Sequence, residues 1–127
     1  FTPTLGATTA DPTVTYDAQE GAWARVGPLV FVYVRVGWTN ISGGSGDVRI
    51  RGLGALPAPD MSFAQILPGS ASGVDFGTGR TAIYANFPGA STLRLTAYGS
   101  GISSLNVSMA RLASSGSVIL QGVYVTA

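Results

Sequence analysis

The chain has 127 residues, enough for one domain that buries about two-thirds of its unfolded surface. Hydrophobic residues make up 46% of it and charged residues only 10%, so we expect a core under a surface wetted mainly by Ser, Thr, Gly and backbone. The formal net charge is +1 and the seven Arg residues are scattered along the sequence, which argues against nucleic-acid binding.

The chain begins with a segment rich in Thr, Pro and Gly. Residues 1–12 are therefore predicted to form an extended arm, and residues 13–127 a single domain. Short runs with the residue types of β-strands follow at 13–16 and 22–26, and Gly27-Pro28 is predicted to form a turn. These first elements favour a β fold in which glycine and proline separate the strands.

The strongest predicted strand covers residues 29–38. Every second residue from Val30 to Val36 is valine, and the positions between them include Phe31 and Tyr33, so both sides of the strand are largely apolar. A strand of this kind is expected at the centre of a fold, buried between sheets or between subunits. Its apolar run is far too short to cross a bilayer, so no membrane insertion is expected.

More short strands are predicted in the rest of the chain. Residues 42–46 contain only Ser and Gly and are predicted to be a loop, and residues 47–53 alternate like a half-exposed strand. The remaining predicted strands cover residues 62–67, 72–76, 81–87, 92–98, 105–112 and 118–125. Their number and spacing predict an all-β fold, a jelly-roll-like β-sandwich of about 8–10 short antiparallel strands.

Short motifs mark the first half of the chain and its carboxyl end. They are FTPTL at 1–5, TT at 8–9, TY at 15–16, Gln19, GAWARVG at 21–27, the Val-rich run 30–36, WT at 38–39, RIRGL at 49–53 and GVYVT at 122–126. In this order they resemble a β-rich module of bacteriophage tail-fibre and head-fibre proteins, whereas residues 69–116 show little of the resemblance. The resemblance implies a virion structural protein that forms a trimeric β knob.

Large and charged side chains within these motifs are predicted to support the scaffold. Trp23 and Tyr16 are interpreted as anchors of the interior whose polar tips need partners. Arg25 is expected to pair with Asp17 or Glu20 nearby in the sequence. Recognition, if the chain performs it, is then expected in the loops.

The residue types that are missing exclude several kinds of chemistry. Without His, Cys or Lys there is no His-activated nucleophile, no thiolate, no disulfide, no Schiff base and no phosphate-binding P-loop lysine. We therefore predict no cofactor and no metal site, because the carboxylates form no Asp-x-Asp cluster of the kind calcium needs.

Glycoside hydrolysis needs two carboxyl groups at a controlled separation. Asp17 and Glu20 are close in sequence, but turn capping and pairing with Arg25 explain them. Asp75 lies between apolar neighbours and near Arg80, and an ion pair or a turn hydrogen bond explains it more simply. No set of residues with assigned catalytic roles remains, so the chain is predicted not to be an enzyme.

Aromatic side chains beside polar ones are the candidates for saccharide binding, because a sugar stacks its C–H surface on a ring and offers hydroxyls to polar groups. Trp38 with Asn40 leads into the predicted 42–46 loop, while Arg80 with Tyr84, and Tyr98, border other Gly-rich loops. Each aromatic has the alternative role of a core or interface residue, because large aromatic side chains dominate burial energetics.

Three functions are weighed. The first is a trimeric fibre or spike knob on the surface of a phage or phage-like particle, assembled in the bacterial cytoplasm, that contacts other virion proteins and a host-surface glycan or receptor. The second is a capsid decoration or cement protein whose 1–12 arm lies along neighbouring capsid proteins. The third, disfavoured by the chemistry above, is a polysaccharide-cleaving fibre domain. A coiled-coil or collagen-like stalk before Phe1 in the gene product would favour the fibre.

Overall fold

The computed structural model describes residues 1–62 and 64–127. In this part of the chain the protein is all-β, and its strands pair antiparallel throughout. The strands are β1 (Thr4–Ala7), β2 (Ala10–Val26), β3 (Leu29–Ser45), β4 (Val48–Arg51), β5 (Ile66–Val74), β6 (Ala82–Gly89), β7 (Thr92–Gly99), β8 (Ile102–Asn106) and β9 (Leu112–Val125).

All nine strands belong to one sheet that is nearly closed into a barrel-like shape. The order is β1-β4-β7-β6-β5-β9-β3-β2, and β8 pairs with β7 beside β4. The two ends of this order meet, because the amino group of Phe1 donates to the carbonyl of Gly21 over 3.1 Å. The Leu5 N–H likewise donates to the hydroxyl of Tyr16 over 2.8 Å. Side-chain and terminal hydrogen bonds therefore join β1 to β2 where a sheet ladder would otherwise close the barrel.

The core lies on the concave side of this sheet. The predicted alternation of β3 is confirmed, since Val30, Val32, Val34 and Val36 are all buried. Their partners on the neighbouring strand β9, Val118 and Leu120, are buried as well. The rest of the core includes Leu5, Val48, Ile50, Leu67, Ile83, Ala85, Leu93, Leu95, Ala97, Val107 and Tyr124. Period-two alternation thus places one apolar row from each of several strands in a shared interior.

The β2–β3 hairpin is longer than the sequence suggests. The predicted strands 13–16 and 22–26 are parts of one strand that contains a bulge near Tyr16, and Gly27 occupies the turn with φ of 58°. The predicted 42–46 loop was wrong for most of its length, because β3 continues to Ser45 opposite Ala10. Backbone pairing with β2 satisfies hydrogen bonds that composition alone assigns to a loop.

The amino-terminal segment differs from the predicted extended arm 1–12. Residues Thr4–Ala7 form β1, which pairs with β4 in the register Thr4 with Arg51 to Ala7 with Val48, and β2 already begins at Ala10. Leu5 and Ala7 are buried. Burial of apolar side chains in the core is favourable in free energy compared with their exposure to water. The segment therefore pairs with the sheet as β1 and does not project away from the domain as an arm.

Two later predictions also change. The predicted strand 105–112 is divided between the end of β8, a 3-10 turn at Met109–Arg111 and the start of β9. The predicted strand 62–67 includes Phe63, which lies outside the described residues; beyond it, one strand, Ile66–Val74, covers part of both predicted strands 62–67 and 72–76. Within residues 1–62 and 64–127, no helix is long and apolar enough to cross a membrane.

Arginine pairing is another correction. Arg25 does not pair with Asp17 or Glu20; its Nε donates instead to the carbonyl of Gly27 over 2.8 Å. Glu20 pairs with Arg35, which lies directly opposite it on β3, at 3.4 Å. Cross-strand register, and not closeness in sequence, decides which charges meet in a hairpin.

Asp11 fastens β1 to the start of β2. Its carboxylate accepts hydrogen bonds from the Ala7 N–H over 3.0 Å and from Arg51 over 2.7 and 2.8 Å. The Ala7 N–H first, and then Arg51, hold the pKa of the Asp11 carboxyl below its usual 3.8. A lowered pKa stabilises the fold above the unfolded value of 3.8 and loses that effect as the pH falls through the folded value.

We therefore expect Asp11→Asn to lower stability at pH 7 and to lower it less as the pH falls toward 2. Urea unfolding midpoints of both proteins at the two pH values measure this. Glu20→Gln is the matched control. Glu20 forms an exposed ion pair with Arg35, and the loss of an exposed pair is expected to change stability little. A wild-type advantage that persists unchanged at pH 2 would contradict the role of the Asp11 carboxylate.

Candidate functional site

Two of the aromatic residues predicted as candidates for saccharide binding lie together on the outer side of β6 and β7. Tyr84 and Tyr98 have ring centroids 5.4 Å apart at an interplanar angle of 47°. Tyr84 lies opposite Thr96, and Tyr98 lies opposite Ala82, so both side chains stand on the same face of this strand pair. Tyr98 is 42% exposed. The pair offers aromatic surface on the outside of the barrel.

Polar and basic side chains continue this face toward β4. Arg94 lies opposite Asn86 on one side and opposite Arg49 on the other. Its Nε donates to the side-chain oxygen of Asn86 over 3.2 Å. The other sides of β4 and β7 carry Ile50 and Leu93, both fully buried in the core. Arg49, Tyr84, Asn86, Arg94 and Tyr98 are hereafter called the polar face.

The polar face is supported by a buried threonine. Thr96 lies between Tyr84 and Asn106 in the register and is only 3% exposed. Its hydroxyl is 3.5 Å from the side-chain oxygen of Asn106. Asn106, at the end of β8, is itself exposed. Hydroxyl, amide and guanidinium groups therefore surround the tyrosine pair.

Arg80, the third residue predicted near these tyrosines, has a structural role at the edge of the polar face. Its Nε donates to the carbonyl of Ser103 over 3.1 Å and its Nη1 approaches the carbonyl of Thr78 at 3.5 Å. The next residue, Thr81, donates its N–H to the carbonyl of Tyr98 over 2.9 Å. The structure thus brings Arg80, Tyr84 and Tyr98 to one end of the sheet, where Arg80 holds the loop before β6 against β8.

Trp38 and Asn40 lie elsewhere. Trp38 is 1% exposed and its indole N–H donates to the carbonyl of Ala113 over 3.0 Å, so its ring belongs to the core and cannot stack on a ligand. Asn40 is exposed on β3 opposite Thr15. In the sheet order β5 and β9 separate β3 from β6, so Asn40 is not part of the polar face.

A second surface, on β2, β3 and β9, is apolar. Its exposed residues are Val26 at 66%, Leu29 at 38%, Phe31 at 46% and Val123 at 42%. Phe31 lies directly opposite Val123, and Leu29 lies opposite Val26, so these side chains share one face of the three strands. Trp23, predicted to anchor the interior, is instead 41% exposed; it lies opposite the buried Val32 and therefore on the other side of the hairpin. Val26, Leu29, Phe31 and Val123 are hereafter called the apolar face.

The centre of the apolar face is an open depression of about 520 Å³, whose lining includes Ala22, Ala24, Phe31, Tyr33 and Val123. One pair farther along the hairpin, the charged residues Glu20 and Arg35 form the exposed ion pair described above. An apolar centre bordered by charges is the arrangement found at protein interfaces. Contiguous exposed apolar surface of this kind marks an interaction site more often than chance.

Two residues of the polar face, Arg49 and Arg94, were not singled out from the sequence. Arg49 and Arg94 were treated as scattered charges, because they are 45 positions apart in the chain and only the β4–β7 pairing unites them. One local signal was present: Arg49 and Arg51 alternate with Ile50, which places both arginines on the outer side of β4. Phe31 was expected to be buried between sheets or between subunits, because its strand is apolar on both sides, and in the single chain it is 46% exposed.

The acidic residues form no metal cluster among residues 1–62 and 64–127. Asp75 accepts a hydrogen bond from the Gly77 N–H over 2.8 Å and lies 3.5 Å from Arg111, so it caps a turn. What the described surface offers chemically is a hydrophobic contact area and a separate polar, aromatic face.

Comparisons with protein-family models, with curated proteins and with solved structures found no match to this chain.

Proposed function

We propose that this chain is a virion structural protein of a bacteriophage or phage-like particle, a trimeric fibre or spike knob that binds a host-surface glycan. The observation that carries the proposal is the presence of two exposed faces of opposite character on one sheet. The apolar face on β2, β3 and β9 is suited to a second copy of the chain, and the polar face on β4, β6 and β7 to a saccharide.

Self-association is supported by what the apolar face contains. Phe31 is an aromatic residue of a type enriched at interfaces and is 46% exposed, and Val123 directly opposite it is 42% exposed. With only 10% charged residues, the chain has few charges to keep such a face dispersed in water. A homotrimer would cover the face on every copy. Its formation is also what the resemblance to fibre modules implies.

Saccharide binding is supported by the composition of the polar face. Sugars present C–H surfaces that pack on aromatic rings and hydroxyls that need donors and acceptors. Tyr84 and Tyr98 supply rings, Asn86 supplies an amide, and Arg94 supplies fixed donors on the same face. The site is built on paired strands and not on loops, so its geometry is fixed before a ligand arrives.

Binding without cleavage is the proposed activity. Four of the six acids already have partners: Asp11 with Arg51, Glu20 with Arg35, Asp60 with Ser62 and Asp75 with Arg111. None of these four lies on the polar face. A glycosidase needs two carboxyl groups flanking the bond that it cuts. Of the two remaining acids, Asp47 is near Arg49, whereas Asp17 lies on β2 against Gly37. No pair of carboxyl groups is therefore assigned to the polar face, and the saccharide is proposed to be bound without cleavage.

A capsid decoration protein is the alternative. That role relied on a free arm at residues 1–12, and β1 is instead paired with β4 in the chain's own sheet. The fibre is therefore favoured.

The proposal also keeps a jelly-roll-like sandwich as the finer description of the sheet, since β2 and β3, each 17 residues long, are long enough to contribute to two layers.

Glycan-array binding by the assembled protein tests the proposal. We expect binding to a bacterial surface saccharide that falls about tenfold in Tyr98→Ala, because an exposed ring that stacks on a sugar is a typical hot spot. Asn40→Ala, an exposed substitution on β3 outside the polar face, is the control and should bind as wild type does.

Electron microscopy of intact particles, with the domain located on head or tail, separates the two roles. Location at the tip of a fibre or spike supports the knob, and a regular position on the capsid shell supports decoration. Absence of binding to any saccharide, together with a capsid position, would refute the fibre proposal. Release of reducing ends from a bound polysaccharide would refute the non-catalytic part.

A further inference from the structure

The polar face contains two arginines that oppose each other across strands. Arg49 on β4 and Arg94 on β7 are register partners, so their side chains leave adjacent strands side by side. Like charges directly opposite each other destabilise a sheet. Throughout the described residues no carboxylate lies within 4.0 Å of either guanidinium, although the chain has six acids.

A neighbouring arginine shows what structural pairing looks like on this strand. Arg51 binds the Asp11 carboxylate over 2.7 and 2.8 Å and donates to the Ala7 carbonyl over 2.8 Å, which fixes its position. Arg49, two residues earlier, donates only to the carbonyl of Val48 over 3.2 Å. Arg51 therefore stabilises the fold through its ion pair with Asp11. Arg49 lies opposite Arg94 without a compensating anion.

The electrostatic setting of Arg49 agrees with this geometry. Burial is the main cause that lowers the pKa of its guanidinium, Asp47 raises that pKa, and Arg94 and Arg51 lower it further. The negative charge of Asp47 therefore affects the pKa of Arg49, but Asp47 forms no ion pair with Arg49 within 4.0 Å. An anion placed between Arg49 and Arg94 would relieve the repulsion and gain charge-assisted hydrogen bonds.

The neighbours of the two arginines indicate what carries that anion. Asn86 holds Arg94, and Tyr84 and Tyr98 continue the same face away from β4. A polymer of phosphates would require a longer basic stripe, because its binding depends on releasing many counterions. A saccharide with one acidic group per sugar or per few sugars fits two arginines beside two aromatic rings.

We propose that Arg49 and Arg94 form a subsite for the anionic group of an acidic saccharide: a carboxylate, sulfate or phosphate. The inference rests on the proposed glycan-binding function and names the class of glycan. Both arginines donate to the anion through planar guanidinium groups that suit two-oxygen acceptors. The tyrosine pair then contacts the sugar ring next to it.

The test uses an array in which each acidic oligosaccharide stands beside its neutral counterpart, carboxyl-reduced, desulfated or dephosphorylated. We expect the wild-type protein to bind an acidic member at least tenfold more tightly than its neutral counterpart. Arg49→Gln and Arg94→Gln should each lose most of that preference. Arg25→Gln removes the same charge from the distant β2–β3 turn and should keep it. The three acid classes distinguish the source of the anion.

Each other outcome has a definite meaning. Equal binding of acidic and neutral counterparts, or equal effects of Arg49→Gln and Arg25→Gln, would overturn the anion subsite and leave saccharide binding intact. No binding to any saccharide would overturn both. Tight binding of duplex DNA at physiological salt, lost in Arg94→Gln, would replace the saccharide with a nucleic acid.

Melting temperature gives a readout that needs no ligand. At low salt Arg49→Gln should melt about 1–4 °C above wild type, because it removes the cross-strand repulsion. Arg51→Gln, which breaks the pairing with Asp11, should melt below wild type. If Arg49→Gln also melts below wild type, Arg49 serves the fold and the subsite is overturned.

Discussion

Replacement of Phe31 and Val123 by serine is expected to convert the proposed trimer into a monomer. The two side chains lie opposite each other at the centre of the apolar face, 46% and 42% exposed. If each contributes about 2 kcal/mol at a buried interface, their joint loss weakens association roughly a thousandfold. Light scattering after size exclusion should give about three times the 12.9 kDa of one chain for wild type and a single chain for the variant.

The control for this variant is Ile66→Ser. Ile66 is 52% exposed on β5, outside the apolar face, so its replacement removes exposed apolar surface without touching the proposed contact. It should remain trimeric. A wild-type protein that is monomeric at 100 μM, or an Ile66→Ser variant that dissociates as fully as the double variant, would rule out this face as the trimer contact.

The second large effect is expected at Trp38. Its ring is 1% exposed, packs against Gly116 and donates its N–H to the carbonyl of Ala113. Trp38→Ala removes this packing and leaves a cavity, which costs about 3–5 kcal/mol. That is a large share of the roughly 5–15 kcal/mol that stabilises an ordinary domain. Urea unfolding followed by circular dichroism measures the loss, best in the monomeric Phe31 and Val123 background.

The matched control is the other tryptophan. Trp23 is 41% exposed, so Trp23→Ala in the same monomeric background should cost less than about 1 kcal/mol. Trp38→Phe is expected to lie between the two, because it keeps most of the packing and leaves the Ala113 carbonyl without its donor. Equal losses in Trp38→Ala and Trp23→Ala would contradict the assignment of Trp38 to the core.

The two tryptophans also show where local sequence stops being informative. Trp23 was predicted to anchor the interior and is 41% exposed, whereas Trp38, a binding candidate whose alternative was a core role, is 1% exposed and belongs to the core. Both lie in strands whose alternation separates two faces. Alternation does not say which face other strands will cover, because that depends on partners distant in the chain, such as β9 for β3.

The candidate site was predictable only in fragments. Tyr84, Tyr98 and Arg80 were recognised by their positions beside Gly-rich loops, and the fold brings them to one end of the sheet. Arg49 and Arg94 were not recognised. A charge that is ordinary in its own strand becomes informative only when register places it opposite another charge.

The amino-acid sequence by itself determined the all-β class, the buried valine row of β3, the turn at Gly27 and the exclusion of histidine, cysteine and lysine chemistry. These follow from side-chain period, residue type and backbone freedom, all of which act locally. Tertiary structure alone decided that β1 closes against β4, that Phe31 faces outward, and that Arg49 meets Arg94. Those outcomes depend on pairing between strands far apart in the chain, whose free energy comes from packing that no local pattern encodes.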